Sequence, residues 1–338
     1  MKHANLSFFI PHVGCPHRCS FCDQVNITGQ QTAPTPADVD AAIKEAAGYL
    51  SEDRRKHTEI AFFGGSFTAI PREMMVSLLE PAAEGLRRDH FAGIRLSTRP
   101  DAIDDEVLTV LKQYGVTAIE LGAQSMDDRV LSANRRGHTA ADVERAAHLI
   151  KQYGFSLGLQ MMTGLFKDTD AGAVHTAEEF IRLGADTVRI YPAITLPGTL
   201  LAHWYAQGTY QPQSLEEAVS LCARLLDLFD EAGVNVIRVG LHDSPELAQC
   251  HLAGPCHPAF RELCESRRFF NRLLPVLQEA APSSPVIVRV HPRFHSVAAG
   301  QRKANLTAFL QAGYSVIFKD DPTLLPGAFC VDLIPMKE

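Results

Sequence analysis

The chain predicts an α/β fold, a partial (β/α)6-type TIM barrel with a smaller α+β region after it, and two observations carry that expectation. Short apolar runs of strand character alternate with segments whose apolar residues recur every three or four positions, the pattern of a parallel sheet with helices packed outside it. The glycine-rich and polar motifs fall directly after the apolar runs, and parallel α/β barrels gather function at the carboxyl ends of their strands.

Bulk properties narrow the class. At 338 residues, 46% hydrophobic and 21% charged, the chain can bury one large barrel or two domains without staples. A net charge of -7 argues against a surface that coats nucleic acid uniformly, although a local basic patch is compatible with it. Eight cysteines, three of them bunched, suit a reducing compartment with a metal site better than a secreted disulfide framework. No apolar run approaches the roughly 18 to 20 residues of a membrane span, and the start lacks a signal peptide's cleavage pattern. The expected setting is cytoplasmic, with no membrane partner.

The first strand, Ser7 to Val13, leads into Cys15-Pro16-His17-Arg18-Cys19-Ser20-Phe21-Cys22. Three thiolates spaced C-x3-C-x2-C must fold around one centre. A [4Fe-4S] cluster normally takes four cysteines, so three leave one iron open to a ligand the chain does not supply. Such an iron can chelate the amino and carboxylate groups of S-adenosylmethionine and pass one electron into its sulfonium. The same cysteines with His12 or His17 could instead close a structural Cys3His zinc site, though such sites usually draw their ligands as two separated pairs.

The second strand, Glu59 to Phe63, ends at Gly64-Gly65-Ser66, where the missing Cβ lets backbone approach a ligand; a tight turn is the plainer reading of the glycine pair alone. The third, Ile94 to Ser97, leads to Thr98-Arg99-Pro100-Asp101, and the fourth, Ala118 to Leu121, to Gly122-Ala123-Gln124-Ser125. Glu120, inside the fourth, needs a partner if buried, for which Arg99 is a candidate. The fifth, Leu157 to Met161, leads to Met162-Thr163-Gly164; a sixth spans Thr187 to Tyr191 and a seventh Val234 to Val239. Helical spacing shows in Val107, Leu108, Leu111 and Tyr114, and again in Val143, Ala146, Ala147 and Ile150. The loop Pro192 to Thr199 reads as a lid or a connection ahead of an amphipathic helix over Ser214 to Ala232. Ser244-Pro245, Gly254-Pro255 and Pro282-Ser283-Ser284-Pro285 punctuate the last hundred residues into shorter elements. A boundary near Leu241 divides the chain into a barrel, 1–241, and a substrate-binding or barrel-covering extension, 242–338.

With the cysteine loop, Gly64 to Thr68, Ser97 to Asp101, Glu120 to Ser125 and Arg135-Arg136-Gly137-His138 in order, the chain resembles a radical S-adenosylmethionine enzyme. More narrowly it resembles the radical domain of the Elongator catalytic subunit, a tRNA wobble-uridine modifying family, in a short form lacking that family's acetyltransferase domain. Oxygen-independent coproporphyrinogen oxidase is a more distant likeness. The resemblance runs from about Ser7 to Leu241. It implies a [4Fe-4S] cluster on Cys15, Cys19 and Cys22, and S-adenosylmethionine as cofactor, with Phe21 near the adenine. Backbone at Gly64 and Gly65, with Ser66 beside them, would meet the amino group; Gln124 and Arg136 would hold ribose and carboxylate, and Gln160 would lie near the ribose. Arg136 is chemically apt because guanidinium grips carboxylate bidentately. The resemblance further implies a reductant such as flavodoxin or ferredoxin. Ser97 stands where relatives commonly carry a carboxylate that contacts the cofactor, so that contact is shorter or absent, and Leu165-Phe166-Lys167 replaces their Leu-Pro-Gly turn.

From Phe260 to Lys303, eight basic residues face three acids, with Phe269, Phe270 and Phe294 interleaved. Basic residues beside aromatics suit a phosphate backbone and stacked bases; the plainer alternative is core phenylalanines and solvated arginines. Cys250, Cys256 and Cys264, with His251 and His257, offer a loose second metal site, against ordinary buried or free thiols. The reading is reductive cleavage of S-adenosylmethionine to a 5'-deoxyadenosyl radical that modifies a nucleoside in tRNA. Its alternatives are a small metabolite or tetrapyrrole-like substrate, and a non-catalytic zinc-binding protein.

Overall fold

The seven apolar runs become seven strands, β1 Ala4–Ile10, β2 Thr58–Gly64, β3 Gly93–Thr98, β4 Val116–Gln124, β5 Ser156–Thr163, β6 Thr187–Pro192 and β7 Asn235–Val239. They form one sheet in chain order, every neighbouring pair parallel. The computed structural model describes residues 4–11, 13–15, 18–23, 32–241, 245–280 and 285–333. His12 and His17, the histidine half of the zinc reading, lie outside them. Among the described residues β1 and β7 do not pair with each other, so the barrel is open, as the sequence predicts.

Strand β1 stops at Ile10, earlier than expected, because Pro11 has no N–H to donate and the chain turns there, Val13 N–H donating to Pro11 O at 2.7 Å. Connections run through α1 Pro36–Tyr49, α2 Glu52–Arg55, α3 Arg72–Asp89, α4 Asp105–Gln113, α5 Asp128–Ala133, α6 Ala140–Gln152 and α7 Asp170–Arg182. After β6 come α8 Leu200–Ala206 and α9 Leu215–Glu231, and after β7 a short α10 Pro245–Cys250. Helices start where the sequence caps them: Thr35 with Asp38, and Thr139 with Asp142, close reciprocal capping boxes. One face of the strands, represented by Ile60, Leu96, Ile119, Leu157 and Val188, is fully buried. The loop after β6 is a connection rather than a lid. Thr195 bridges to Ala253, and Thr195 and Leu196 have no exposed surface.

The remaining elements are α11 Phe260–Ala280, β8 Val286–Val290, α12 His295–Ala299, α13 Ala304–Gln311, β9 Val316–Asp320 and β10 Phe329–Leu333. β8 lies between β9, parallel, and β10, antiparallel. Phe269, Leu273 and Leu277 of α11 pack on Val286, Val288 and Val290, and Phe270 and Phe294 lie partly buried against the same cluster. The interleaved phenylalanines are therefore core. The arginines beside them are engaged by acids distant in sequence: Arg268 with Asp227 (2.7 Å) and nearby Glu265, Arg267 with Glu216, and Arg289 with Asp321 and Asp332. By contacts the chain divides into Met1–Ser214 with Leu228–Cys256, and Leu215–Asp227 with His257–Glu338. No described helix is long and apolar enough to cross a membrane.

Candidate active site

The cysteine loop is seated backbone on backbone. At Gly14, which turns at φ +77°, a Cβ would come within 2.4 Å of Ser66 O; at Gly65 one would come within 2.3 Å of Val13 O. Gly65 N–H donates to Ile10 O (2.6 Å) and Ser66 N–H to Val13 O (3.2 Å). The glycine pair after β2 thus lacks side chains because the chain leaving β1 presses on it. This seating leaves Cys15 Sγ 3.9 Å from Ser66 Oγ.

Further along, Ser20 is fully buried. Its hydroxyl donates to Asn134 Oδ1 at 2.6 Å, its N–H to Asn134 O, and its carbonyl accepts from Leu201 N–H. Asn134 completes the anchor by donating to Val130 O and Phe166 O. Phe21 packs partly buried on Val130, Leu165, Leu201 and Tyr210, with the Arg136 guanidinium 5.9 Å from its ring centre.

Arg136 ties the loop to β4. It is buried, its Nη1 donates to Cys19 Sγ at 3.0 Å and its Nη2 to Gly122 O at 2.5 Å. Gln124 ends β4 in the left-handed region, φ +71°. Among the described residues, Gln124 Oε1 and Arg136 Nε are buried without a hydrogen-bond partner. Burial first, then the like-charged Cys19 and Cys15, push the Cys22 thiol up to about 12, while Arg136 pulls the other way. His138 bonds through Nε2 to Ala123 O; burial, reinforced by Arg136, lowers its pKa to about 4 and keeps the ring neutral.

A second polar layer crosses the opposite face of the strands. Glu120 is 1% exposed. It accepts from Arg189 Nε (2.6 Å) and Nη2 (2.9 Å), Arg95 Nη1 (3.2 Å) and Gln160 Nε2 (2.8 Å). Its partners are therefore Arg95 and Arg189, and not Arg99, which bonds Asp101 two residues on. Arg95 also reaches Glu59 at 2.6 Å, and Gln160 Nε2 bonds Ser97 Oγ at 3.1 Å. The geometry thus gathers Cys19, Phe21, Gln124 and Arg136 in one group, Cys15 and Ser66 in a second, and Ser97 with Gln160 in a third, all at or near the carboxyl ends of β1 to β5.

Sequence reasoning missed Asn134, Glu59, Arg95 and Arg189. Arg95 and Arg189 carried a usable signal, since a charge with apolar neighbours on both sides within a strand must face the other side of the sheet; Glu59, beside Thr58, carried a weaker one. Asn134, a polar residue between motifs, carried none. Elsewhere the cysteines find local partners: Cys250 Sγ bonds Leu247 O, and the Cys264 thiol is raised by a hydrogen bond with Cys222 and by burial. His251 bonds Gly254 O and His257 accepts from Ala259 N–H. No set of three described His, Cys, Asp or Glu side chains converges on a single-ion site.

Known proteins resemble the chain in sequence and in fold. A tRNA uridine(34) acetyltransferase of Dehalococcoides mccartyi is 25% identical over 286 residues, 75% of this chain and 62% of that protein. Elongator complex protein 3 of Danio rerio is 30% identical over 193 residues, 50% of this chain and 35% of that protein. The structure of archaeal Methanocaldococcus infernus Elp3 with an N-terminal deletion superposes with a TM-score of 0.61 at 18% identity, covering 83% of this chain and 64% of that one, a likeness of fold. The chain spans less than two thirds of each of these relatives. A radical SAM C-terminal domain model matches residues 185–268. The radical SAM superfamily model matches residues 9–180, just over half of the chain, from the end of β1 through most of α7, and the chain belongs to that superfamily of enzymes.

Proposed function

We propose that the chain cleaves S-adenosylmethionine reductively at a [4Fe-4S] cluster held by Cys15, Cys19 and Cys22, and that the radical so formed modifies a nucleoside in tRNA. The observation that carries the first half is the pair of orphaned atoms, Arg136 Nε and Gln124 Oε1. A buried donor or acceptor left unpaired costs about 1–3 kcal/mol. A ligand with a carboxylate for the donor and a hydroxyl for the acceptor removes that cost, and an amino-acid nucleoside has both. Cys15 and Cys19 lie close enough to Cys22 to raise its thiol electrostatically, so the three could together hold a cluster. When bound, the cluster supplies the electron that breaks a C–S bond of the sulfonium and releases a 5'-deoxyadenosyl radical.

The side chains have separable tasks. Arg136 grips the carboxylate and, through Nη1, neutralises charge at Cys19. Gln124 and Gln160 face the ribose, Phe21 lies by the adenine, and Ser66, with backbone at Gly64 and Gly65, meets the amino group. Ser97, already bonded to Gln160, bears on the cofactor mainly through it. A reductant such as flavodoxin or ferredoxin and a cytoplasmic setting suit this chemistry.

Support for tRNA comes from the relatives, a tRNA uridine(34) acetyltransferase and Elongator complex protein 3. One observation favours a small metabolite or tetrapyrrole-like substrate instead: the basic segment has its phenylalanines in the core and several arginines in ion pairs. Two experiments decide. Anaerobic reconstitution should give a brown protein that loses colour with dithionite and yields 5'-deoxyadenosine; a colourless protein holding zinc overturns the enzyme reading. Modified nucleosides compared between cells with and without the gene should differ at one tRNA position, and an unchanged profile shifts the substrate to a metabolite.

A further inference from the structure

Gln160 is held by one end of its amide. Its Nε2 donates both to Glu120 Oε2 at 2.8 Å and to Ser97 Oγ at 3.1 Å, and its Oε1 has no hydrogen-bond partner among the described residues. Two acceptors on Nε2 fix the sense of the amide, because a flipped amide would set its carbonyl oxygen against the carboxylate. Glu120 cannot yield, being 1% exposed and gripped by Arg189 through two nitrogens and by Arg95 through a third. Both oxygens of Glu120 already accept from guanidinium N–H groups, so its partner on Gln160 is the donating NH2 group.

We propose that Glu120 is a positioning residue. By pinning the amide of Gln160 it presents Oε1 as an acceptor, so the site selects a sugar that carries a hydroxyl donor over one that has lost it. This rests on the proposed binding of S-adenosylmethionine and adds to it the reason for selectivity. Arg95 and Arg189, the two guanidiniums on Glu120, then form the rigid backing that keeps the acceptor aimed. Rigid backing of this kind separates a selective contact from a merely compatible one.

The test is equilibrium binding, by calorimetry on the anaerobically reconstituted protein, of S-adenosylhomocysteine and of its 2'-deoxy and 3'-deoxy forms. The wild type should prefer the full ribose over one deoxy form by about tenfold, the scale of one net hydrogen bond. Glu120→Gln frees the amide to flip and should bring that ratio close to one. Glu59→Gln weakens the same buried layer without touching Gln160 and should keep the wild-type ratio. If Glu120→Gln fails to fold, Glu120→Asp keeps a charge for both arginines while drawing the oxygen back from Gln160, and should lower the ratio likewise. A ratio that survives in the Glu120 variants, or that Glu59→Gln lowers equally, overturns the assignment, as does a wild type indifferent to the missing hydroxyl. A wild type that binds none of the three probes refutes the cofactor reading itself, and this assignment with it.

Discussion

Asp168 and His138 are buried groups with opposite titration behaviour, and together they hide a dependence of stability on pH. Burial first, then the nearby Asp127 and Asp170 charges, raise Asp168 from 3.8 to about 6; Oδ1 accepts from Thr169 N–H, whereas Oδ2 is buried without a partner. A raised carboxyl opposes folding progressively from about pH 4 and fully above about pH 6. His138, lowered from 6.5 to about 4, favours the folded state fully above 6.5, and that stability is lost as pH falls toward 4. Between pH 4 and 6 the two largely offset. Asp168→Asn should therefore raise stability at pH 7 by about 2 kcal/mol and expose the His138 slope, its Tm falling more steeply than wild type from pH 6.5 to 4.5. Equal stability at pH 7 by denaturant titration would contradict this account. Arg136→Met should cost about 1–3 kcal/mol by stranding Gly122 O, and should weaken S-adenosylmethionine binding at least tenfold by calorimetry. Arg136 was legible in the sequence because it sits in a motif; its bond to Cys19 was not, since 117 residues separate them.

Among the elements, the strands were read to within a few residues because each is a short apolar run bounded by turn chemistry. The charged layer escaped for a physical reason. Register, which the sequence does not show, selects the partner: Ser97 lies opposite Glu120 across β3 and β4, so Arg95, two residues along the same face, reaches it, whereas Arg99 lies past the end of β3 and Arg189 comes from β6. The charge of the basic carboxyl-terminal stretch is partly balanced by acids distant in sequence, Glu216, Asp227, Asp321 and Asp332, which pair with its arginines. At this scale α5 matters through the residue that caps its C-terminus, Asn134, which holds both Ser20 and Phe166. Asn134→Ala should cost about 2 kcal/mol and also loosen the cysteine loop. Iron content after identical anaerobic reconstitution should fall well below wild type while the far-ultraviolet dichroism stays native; full iron loading would remove Asn134 from the site.

For the whole molecule, the proposed binding of a cluster would be linked to folding, since a ligand that binds only the folded chain stabilises it by mass action. The reconstituted protein should melt several degrees above the same protein stripped with chelator under reducing conditions, and Cys19→Ser should melt at the stripped temperature whether or not iron and sulfide are supplied. Identical melting of the wild type in both forms would dissociate the cysteine loop from the fold's stability. Strand β1 has a neighbour on one side alone among the described residues, and the loop that carries Cys15 departs from it. An outermost strand opens locally at lower free energy than the middle of a sheet, so amides of β1 should exchange with deuterium faster than those of β4. Bleaching would then be an early, local event: a preparation handled in air can lose its metal through fraying at this margin while its bulk spectrum still reports an intact protein.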